Sequence, residues 1–191
     1  SLVGSEMCIR DRDRGVPESL LSNLVADVLR GAAVQVLGKP ADMGLVNIGG
    51  LRNVLTEGPV TCGNIYEILP FENSLCVVTL KGTDLNHLFE NIAACGGEGV
   101  SGVQLHITKD GKLLRATVAG KPVVEDRMYT VATIDYLADG NDGMTALIRA
   151  EKRECPQGAT LRSLFMDYVE RQTAAGKKIT SRMEGRITVE D

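Results

Sequence analysis

Apolar residues in the first well-patterned stretch fall at Leu20, Leu21, Leu24, Val25, Val28 and Leu29, steps of three and four that predict an amphipathic helix. Pro17-Glu18-Ser19 leads into it, and Gly38-Lys39-Pro40 ends it, because glycine terminates a helix and proline cannot continue one. Met43 to Ile48 is a short apolar run closed by Gly49-Gly50, which predicts a buried strand delivering a loop. Gly63 to Leu69 reads as a short helix or turn. Ser74 to Leu80 is rich in β-branched residues, and Lys81-Gly82-Thr83-Asp84 is expected to supply a turn and N-cap for a helix running to about Cys95. The period then changes: Val103, Leu105 and Ile107 alternate with polar neighbours, Lys109-Asp110-Gly111-Lys112 is a hairpin turn, and Leu113 to Val118 alternates again. Tyr129 to Ile134 is a further strand, ended by the Gly-, Asp- and Asn-rich segment 139–143. Thr160 to about Thr173 returns to helical spacing, and Gly185 to Val189 closes the chain as a strand. Interleaved helices and strands with hairpins predict an α+β domain of mixed sheets covered by helices rather than a doubly wound parallel sheet.

Composition narrows the function classes. The chain has 191 residues, 43% of them hydrophobic, enough for one core and one domain. Twenty-five acidic residues against 21 basic ones, with no basic stripe, argue against nucleic acid as a partner. No apolar run approaches the roughly 20 residues of a membrane span. Five scattered cysteines (Cys8, Cys62, Cys76, Cys95 and Cys155) without a Cys-x-x-Cys pair, and only two histidines, make a zinc site or a disulfide framework a poor expectation. Most of the cysteines are expected to be small buried hydrophobes. Glu6-Met7-Cys8-Ile9-Arg10-Asp11 matches the in-frame translation of a transposon end used in sequencing libraries. Residues 1–16 are therefore expected to be a non-native or disordered leader, with the domain spanning 17–191.

Three loop-borne features carry candidate chemistry. Asn47-Ile48-Gly49-Gly50-Leu51-Arg52 brings backbone amides and a guanidinium together, which suits an anion; its bland alternative is a tight turn with a surface arginine. Leu69-Pro70-Phe71-Glu72-Asn73 sets a flat ring on a rigid loop, either a stacking surface for a base or a plug for the core. Tyr136 is followed six residues later by Asp142 within Asp139-Gly140-Asn141-Asp142-Gly143, where a carboxylate can accept two hydrogen bonds from adjacent hydroxyls or simply occupy a favourable turn.

Taken in order, these features resemble the pattern Asn-Gly-Gly-Gly-Ile-Arg, Leu-Pro-Phe and Asn-Phe-Leu-x-x-Gly-Gly-Asp-Gly of the C-terminal domain of 5′-nucleotidases and related UDP-sugar hydrolases. Pro17 to Asp27 resembles that family's opening helix and Glu184-Gly185-Arg186-Ile187 its closing strand, so the resemblance covers about residues 17–190. It implies a four-layer α/β/β/α sandwich that grips a nucleotide or nucleoside while a separate N-terminal metallophosphoesterase domain, in cis or as a separate chain, holds two divalent metal ions and performs hydrolysis. No cofactor is implied for this domain, and the fragment alone is expected to be inactive. By position, Phe71 and Tyr136 would sandwich the base, Asp142 would hold the ribose hydroxyls, Arg52 would contact the ribose or phosphate, and Asn47 would bond the base or shape its pocket, with Asn73 and Gly49 in lesser roles. The resemblance also implies export to the periplasm or cell surface. The chain departs from the pattern at Ile48 for glycine, Leu51 for isoleucine, Tyr136 for phenylalanine, Asn141 for glycine and Met144 for an aromatic. Ile48 is expected to narrow its loop. Arg14 sits one residue away from where a further arginine is expected. His87 and His106 read as structural residues. The alternative reading is a free-standing nucleotide-binding or partner protein with no hydrolase activity of its own.

Overall fold

Ser19 opens the first helix with a reciprocal cap: its hydroxyl accepts from the Ser22 backbone N–H at 3.0 Å while the Ser22 side chain accepts from the Ser19 N–H. The computed structural model describes residues 2–7, 17–51 and 57–191, the first six by their backbone alone. In chain order the elements are β1 (Leu2–Met7), α1 (Leu20–Ala32), α2 (Val34–Leu37), β2 (Met43–Val46), β3 (Gly58–Thr61), α3 (Cys62–Ile68), β4 (Leu75–Lys81), α4 (Gly82–Ala94), β5 (Gly99–Ser101), β6 (Val103–Thr108), β7 (Leu113–Val118), β8 (Lys121–Pro122), β9 (Met128–Ile134), α5 (Asp135–Ala138), β10 (Lys152–Glu154), α6 (Leu161–Ala174) and β11 (Ile187–Glu190). Short 3-10 turns occupy Ile48–Gly50, Asn141–Gly143 and Thr145–Arg149.

Two mixed sheets with helices packed on them form the body of the protein, as the alternation of patterns predicts. The first has five strands in the order β10-β4-β9-β2-β5, and the second has four in the order β11-β6-β7-β8. In the first sheet β9 runs antiparallel to β4 and parallel to β2; in the second, β11 runs parallel to β6. Helix α1 lies against β2, β5 and β9, while α4 touches β4 and β9 of one sheet and β6 and β7 of the other. Leu21, Leu24, Val25, Val28 and Leu29 of α1 are buried in this contact. The stretch Leu20–Leu37 is long and apolar enough to cross a membrane by composition, yet here its apolar side faces the sheet. The Asp-Gly hairpin closes as expected, the Gly111 N–H donating to the Thr108 carbonyl at 3.0 Å. Residues 2–7, inside the expected leader, run as β1 antiparallel to β3.

A buried polar joint ties the first helix to the last strand. Glu18, 4% exposed, accepts from the Asn23 side-chain amide and from the backbone N–H groups of Glu184 and Arg186, each at 2.8 Å. The Arg186 guanidinium donates to both oxygens of Asp27 and to the Asn23 and Val100 carbonyls. Both buried charges of this joint, Glu18 and Arg186, therefore have partners, which the cost of burying an unpaired ion requires.

Two expectations need correction. Lys81-Gly82 makes no turn and no side-chain cap: β4 runs directly into α4. Gly82 is required there by crowding, since a Cβ would lie 2.1 Å from the Val124 carbonyl oxygen. The cysteines also do more than fill space. Cys76 and Cys155, 79 residues apart, form a disulfide, one residue beyond the β10–β4 ladder pair Glu154↔Val77. Sequence spacing concealed the pair because only strand pairing brings them together. Cys95 is exposed, and Cys8 lies outside the described residues.

Replacing both Cys76 and Cys155 with alanine is expected to lower unfolding free energy by about 2–5 kcal/mol, because the bridge closes a long loop in the unfolded chain. Urea denaturation of the wild type and the double variant under non-reducing conditions measures this difference.

Candidate functional site

The C-terminal ends of β2 and β9 and the N-terminal end of β4 lie side by side, because Leu75 pairs with Ile134 and the β2–β9 ladder is parallel. The three loops singled out by sequence leave from these ends. Asn47, Gly49, Gly50, Phe71, Asn73, Tyr136 and Asp142 line one cleft of about 350 Å³, within the size range of small-molecule sites. Six of the seven candidate residues are thus brought together, with Gly50 in addition. Arg52 lies outside the described residues, as does Arg14.

Each wall of the cleft has its own support. The loop of Tyr136 is anchored by Asp135, whose carboxylate accepts from the backbone N–H groups of Tyr136 at 2.9 Å and Ser74 at 3.2 Å. In return the Asp135 N–H donates to the Ser74 carbonyl at 2.9 Å, fixing the Tyr136 loop to the Phe71–Asn73 loop. Asn73 is itself held to α6, its carbonyl accepting from the Leu161 N–H at 2.8 Å. Phe71 and Tyr136 are 48% and 40% exposed and both line the cleft. The core-plug alternative for Phe71 therefore does not hold.

Asp142 sits at the centre of the polar side. Its backbone is left-handed (φ 54°, ψ 29°), a conformation that aspartate tolerates better than most residues. The turn is braced by the Asn141 side-chain amide, which donates to the Tyr136 carbonyl at 2.8 Å. Both Asp142 carboxylate oxygens already have protein donors: the Asn47 amide at 2.8 Å on Oδ2 and the Tyr136 hydroxyl at 2.9 Å on Oδ1. Asn47 is 5% exposed, and its Oδ1 has no hydrogen-bond partner among the described residues. Gly50 backs onto that amide, where a Cβ would stand 3.0 Å from Asn47 Oδ1. By contrast a Cβ on Gly49 would meet nothing within 4 Å, so of the two glycines Gly50 carries the steric constraint.

Residues 48–50 form a 3-10 turn in which Ile48 has a negative φ. A side chain is therefore accommodated where the family pattern has glycine. The amides of this turn are largely committed: Gly50 N–H to the Asn47 carbonyl, Leu51 N–H to the Ile48 carbonyl, and Ile48 N–H to Glu98 at 2.6 Å. An anion cradle built from these three amides is not what the turn offers.

Glu98 was not legible in the sequence. It precedes β5, whose pairing with β2 (Gly99↔Val46) sets it beneath the Asn47 loop. Burial pushes its carboxyl up to about 7, and the charge of Asp142 pushes in the same direction, against the lowering effect of the Ile48 N–H and Cys95 contacts. Desolvation of the thiol, with the charge of Glu98 close by, likewise raises Cys95 to about 11 even though the residue as a whole is exposed. A second indirect support runs through Arg153. Its guanidinium donates to Asp139 at 2.7 Å and touches the sulfurs of Cys155 at 3.4 Å and Cys76 at 3.8 Å, linking the disulfide to the start of the Asp142 loop. His106 bonds Thr188 at 2.8 Å and His87 lies 3.8 Å from Asp84, both away from the cleft. Among the described residues no cluster of His, Cys, Asp and Glu could hold a metal ion.

Comparison with known proteins identifies the family. The family described as 5'-nucleotidase, C-terminal domain, matches residues 4–149. The chain is 30% identical to the cell wall protein Lmo0130 of Listeria monocytogenes, with 88% of this chain and 23% of that protein covered. It is 29% identical to an apyrase of Aedes aegypti over 99% of this chain and 36% of that one. The crystal structure of a 5'-nucleotidase precursor from Thermus thermophilus superposes with a TM-score of 0.86 at 28% identity, covering 100% of this chain and 40% of that one. The chain thus spans well under half the length of these relatives.

Glu98 gives the site a pH signature. Its folded-state value of about 7 lies above the ordinary 4.5, so the folded protein binds this proton more tightly than the unfolded chain. The contribution to stability is fully present below about pH 4.5 and is lost as pH rises toward 7, by up to about 3 kcal/mol. Denaturation of wild type and Glu98→Gln between pH 4.5 and 8 tests the linkage, the variant being expected to lose this part of the slope.

Proposed function

The chain belongs to the family of 5′-nucleotidase C-terminal domains, and we propose that it is the nucleotide-binding half of a phosphoric monoester hydrolase of nucleotide catabolism. The observation that carries this reading is the convergence of Asn47, Phe71, Asn73, Tyr136 and Asp142 on one cleft. Exposed Phe71 and Tyr136 offer two faces to a base, and stacking on an aromatic ring contributes about 1–3 kcal/mol per base with little sequence preference. Asp142 offers acceptors to sugar hydroxyls. Asn47, whose amide donates to Asp142 at 2.8 Å, shapes the wall of the pocket or bonds the base. Gly49 and Gly50 keep that wall thin, and Arg52, next along the chain, is assigned the ribose or phosphate side.

Hydrolysis belongs elsewhere in this reading. Two divalent ions would lower the pKa of a bound water and neutralise the phosphate, and they would be held by an N-terminal metallophosphoesterase domain, fused or separate. The described residues of this chain do not fit that role. The domain itself comprises residues 17–191. Its place is the periplasm or cell surface: the Cys76–Cys155 disulfide is of a kind that persists in oxidising compartments.

Titration of the chain with AMP or adenosine, followed by calorimetry, tests the binding role. Phe71→Ala and Tyr136→Ala are each expected to weaken binding by about 5- to 150-fold, the equivalent of one lost stacking face. Unchanged affinity in both variants would remove the stacking assignment. In a separate assay with AMP and added divalent metal, the chain alone is expected to release no phosphate.

A further inference from the structure

The wall of the cleft formed by Asn47, Gly49 and Gly50 belongs to a single turn. Its own bonds, Gly50 N–H to the Asn47 carbonyl at 3.2 Å and Leu51 N–H to the Ile48 carbonyl at 3.0 Å, close it only locally. Among the described residues two hydrogen bonds tie it to distant parts of the chain. One runs from the Asn47 side-chain amide to Asp142 at 2.8 Å, inside the cleft. The other runs from the Ile48 N–H to Glu98 Oε2 at 2.6 Å, and Glu98 does not line the cleft. This second bond acts on the peptide that joins Asn47 to Ile48. The carbonyl of that planar unit accepts from Gly50 while its N–H donates to Glu98, so it is pinned at both ends, and Asn47 and Gly50 have little freedom to turn against each other. Glu98 is itself firmly seated. The Gly97 N–H before it donates to the Ile92 carbonyl at 3.0 Å, and Gly99 after it pairs with Val46 so closely that a Cβ would lie 2.6 Å from Val46 Cγ1.

Building on the nucleoside reading, we propose that Glu98 is a positioning residue: it touches no ligand, and by holding the peptide between Asn47 and Ile48 it keeps the Asn47, Gly49 and Gly50 wall in the shape that receives a nucleoside. What the turn needs from this residue is an acceptor oxygen. The carboxyl offers one whether or not it carries a proton, and the side-chain amide of glutamine offers one too, whereas alanine and leucine offer none. Besides the Ile48 N–H, Glu98 faces the Cys95 thiol at 3.6 Å on its other oxygen and the charge of Asp142. Of these contacts only the Ile48 N–H acts on the backbone of the cleft wall. Without the acceptor, one end of the peptide is released and the wall has to be ordered at the moment of binding, which weakens affinity although no contact to the ligand is lost. The effect reaches the ligand through Asn47, whose amide must point at Asp142 for the polar side of the cleft to keep its arrangement.

Calorimetric titration of adenosine into the wild-type chain, Glu98→Gln and Glu98→Ala decides the matter. Glu98→Gln is expected to bind within about threefold of the wild type and Glu98→Ala about tenfold more weakly, the size of one hydrogen bond. Glu98→Leu, which also lacks an acceptor but fills more of the space, is expected to match the alanine variant and replaces it if that variant does not fold. In NMR spectra of the free chain, the Ile48 amide proton is expected to shift with pH in the wild type, as Glu98 takes up its proton, and to keep its position in Glu98→Gln. A side chain that merely filled space beside the turn would give neither the rescue by glutamine nor the titrating Ile48 signal. Wild-type affinity in the acceptor-free variants, equal losses in the glutamine and alanine variants, or an Ile48 signal indifferent to pH would each overturn this proposal and leave the nucleoside site standing. Failure of the wild type to bind adenosine would overturn the nucleoside reading itself, and this proposal with it.

Discussion

The antiparallel pairing of β9 with β4, combined with its parallel pairing with β2, is the constraint on which the site depends. These two ladders bring the end of β2, the end of β9 and the start of β4 to one end of the sheet, so loops separated by some ninety residues open onto the same cleft. Were β2 antiparallel to β9, Asn47 would emerge at the opposite end from Tyr136 and Asp142. Strands at the centre of a sheet are also the part of a fold least free to move, so the bases of the three loops are set by the most stable part of the domain. The same alignment explains Glu98: β5 begins beside the last residue of β2, so the residue just before it arrives under the Asn47 turn.

Polar groups in the cleft are linked into a chain rather than set side by side. Cys76 and Cys155 fix β10 to β4, Arg153 on β10 reaches Asp139, Asp139 starts the turn that carries Asp142, and Asp142 receives Asn47 and Tyr136. Glu98 supports the far side through the Ile48 N–H. Burial holds Glu98 closer to its neutral form, and the charge of Asp142 nearby acts in the same direction. The mechanical supports of the site thus lie outside the cleft, on residues that no ligand would touch.

Sequence patterning served well where elements are long. The three-and-four spacing of α1, the alternation in β6, and the β-rich runs of β4 and β9 matched the structure because their patterns report a buried face directly, whereas β7 is a strand whose burial does not alternate, Thr117 and Val118 both being buried. The strands of two or three residues, β5, β8 and β10, left no such trace; Lys152-Arg153-Glu154 contains no apolar residue at all. Phe71, Tyr136 and Asp142 were legible singly only as loop residues, and their grouping came from family resemblance rather than local chemistry. Glu98 and the disulfide escaped notice for one reason: each owes its place to pairing between distant strands. Gly82 was misread as a turn residue, since a glycine forced by close approach of another backbone looks the same in sequence as one that bends the chain.

The short strands that sequence could not see lie mostly at the margins of the sheets. β5 and β10 flank the first sheet with three residues each, β10 being Lys-Arg-Glu, and β8 bounds the second with only Lys121 and Pro122. An unpaired strand border invites another molecule to extend it, and brevity, charge and proline are the features that discourage this. Three of the four borders of these two sheets therefore give a stray β-segment almost nothing to pair with, a safeguard against aggregation for a protein whose central strands are otherwise rich in valine, leucine and isoleucine.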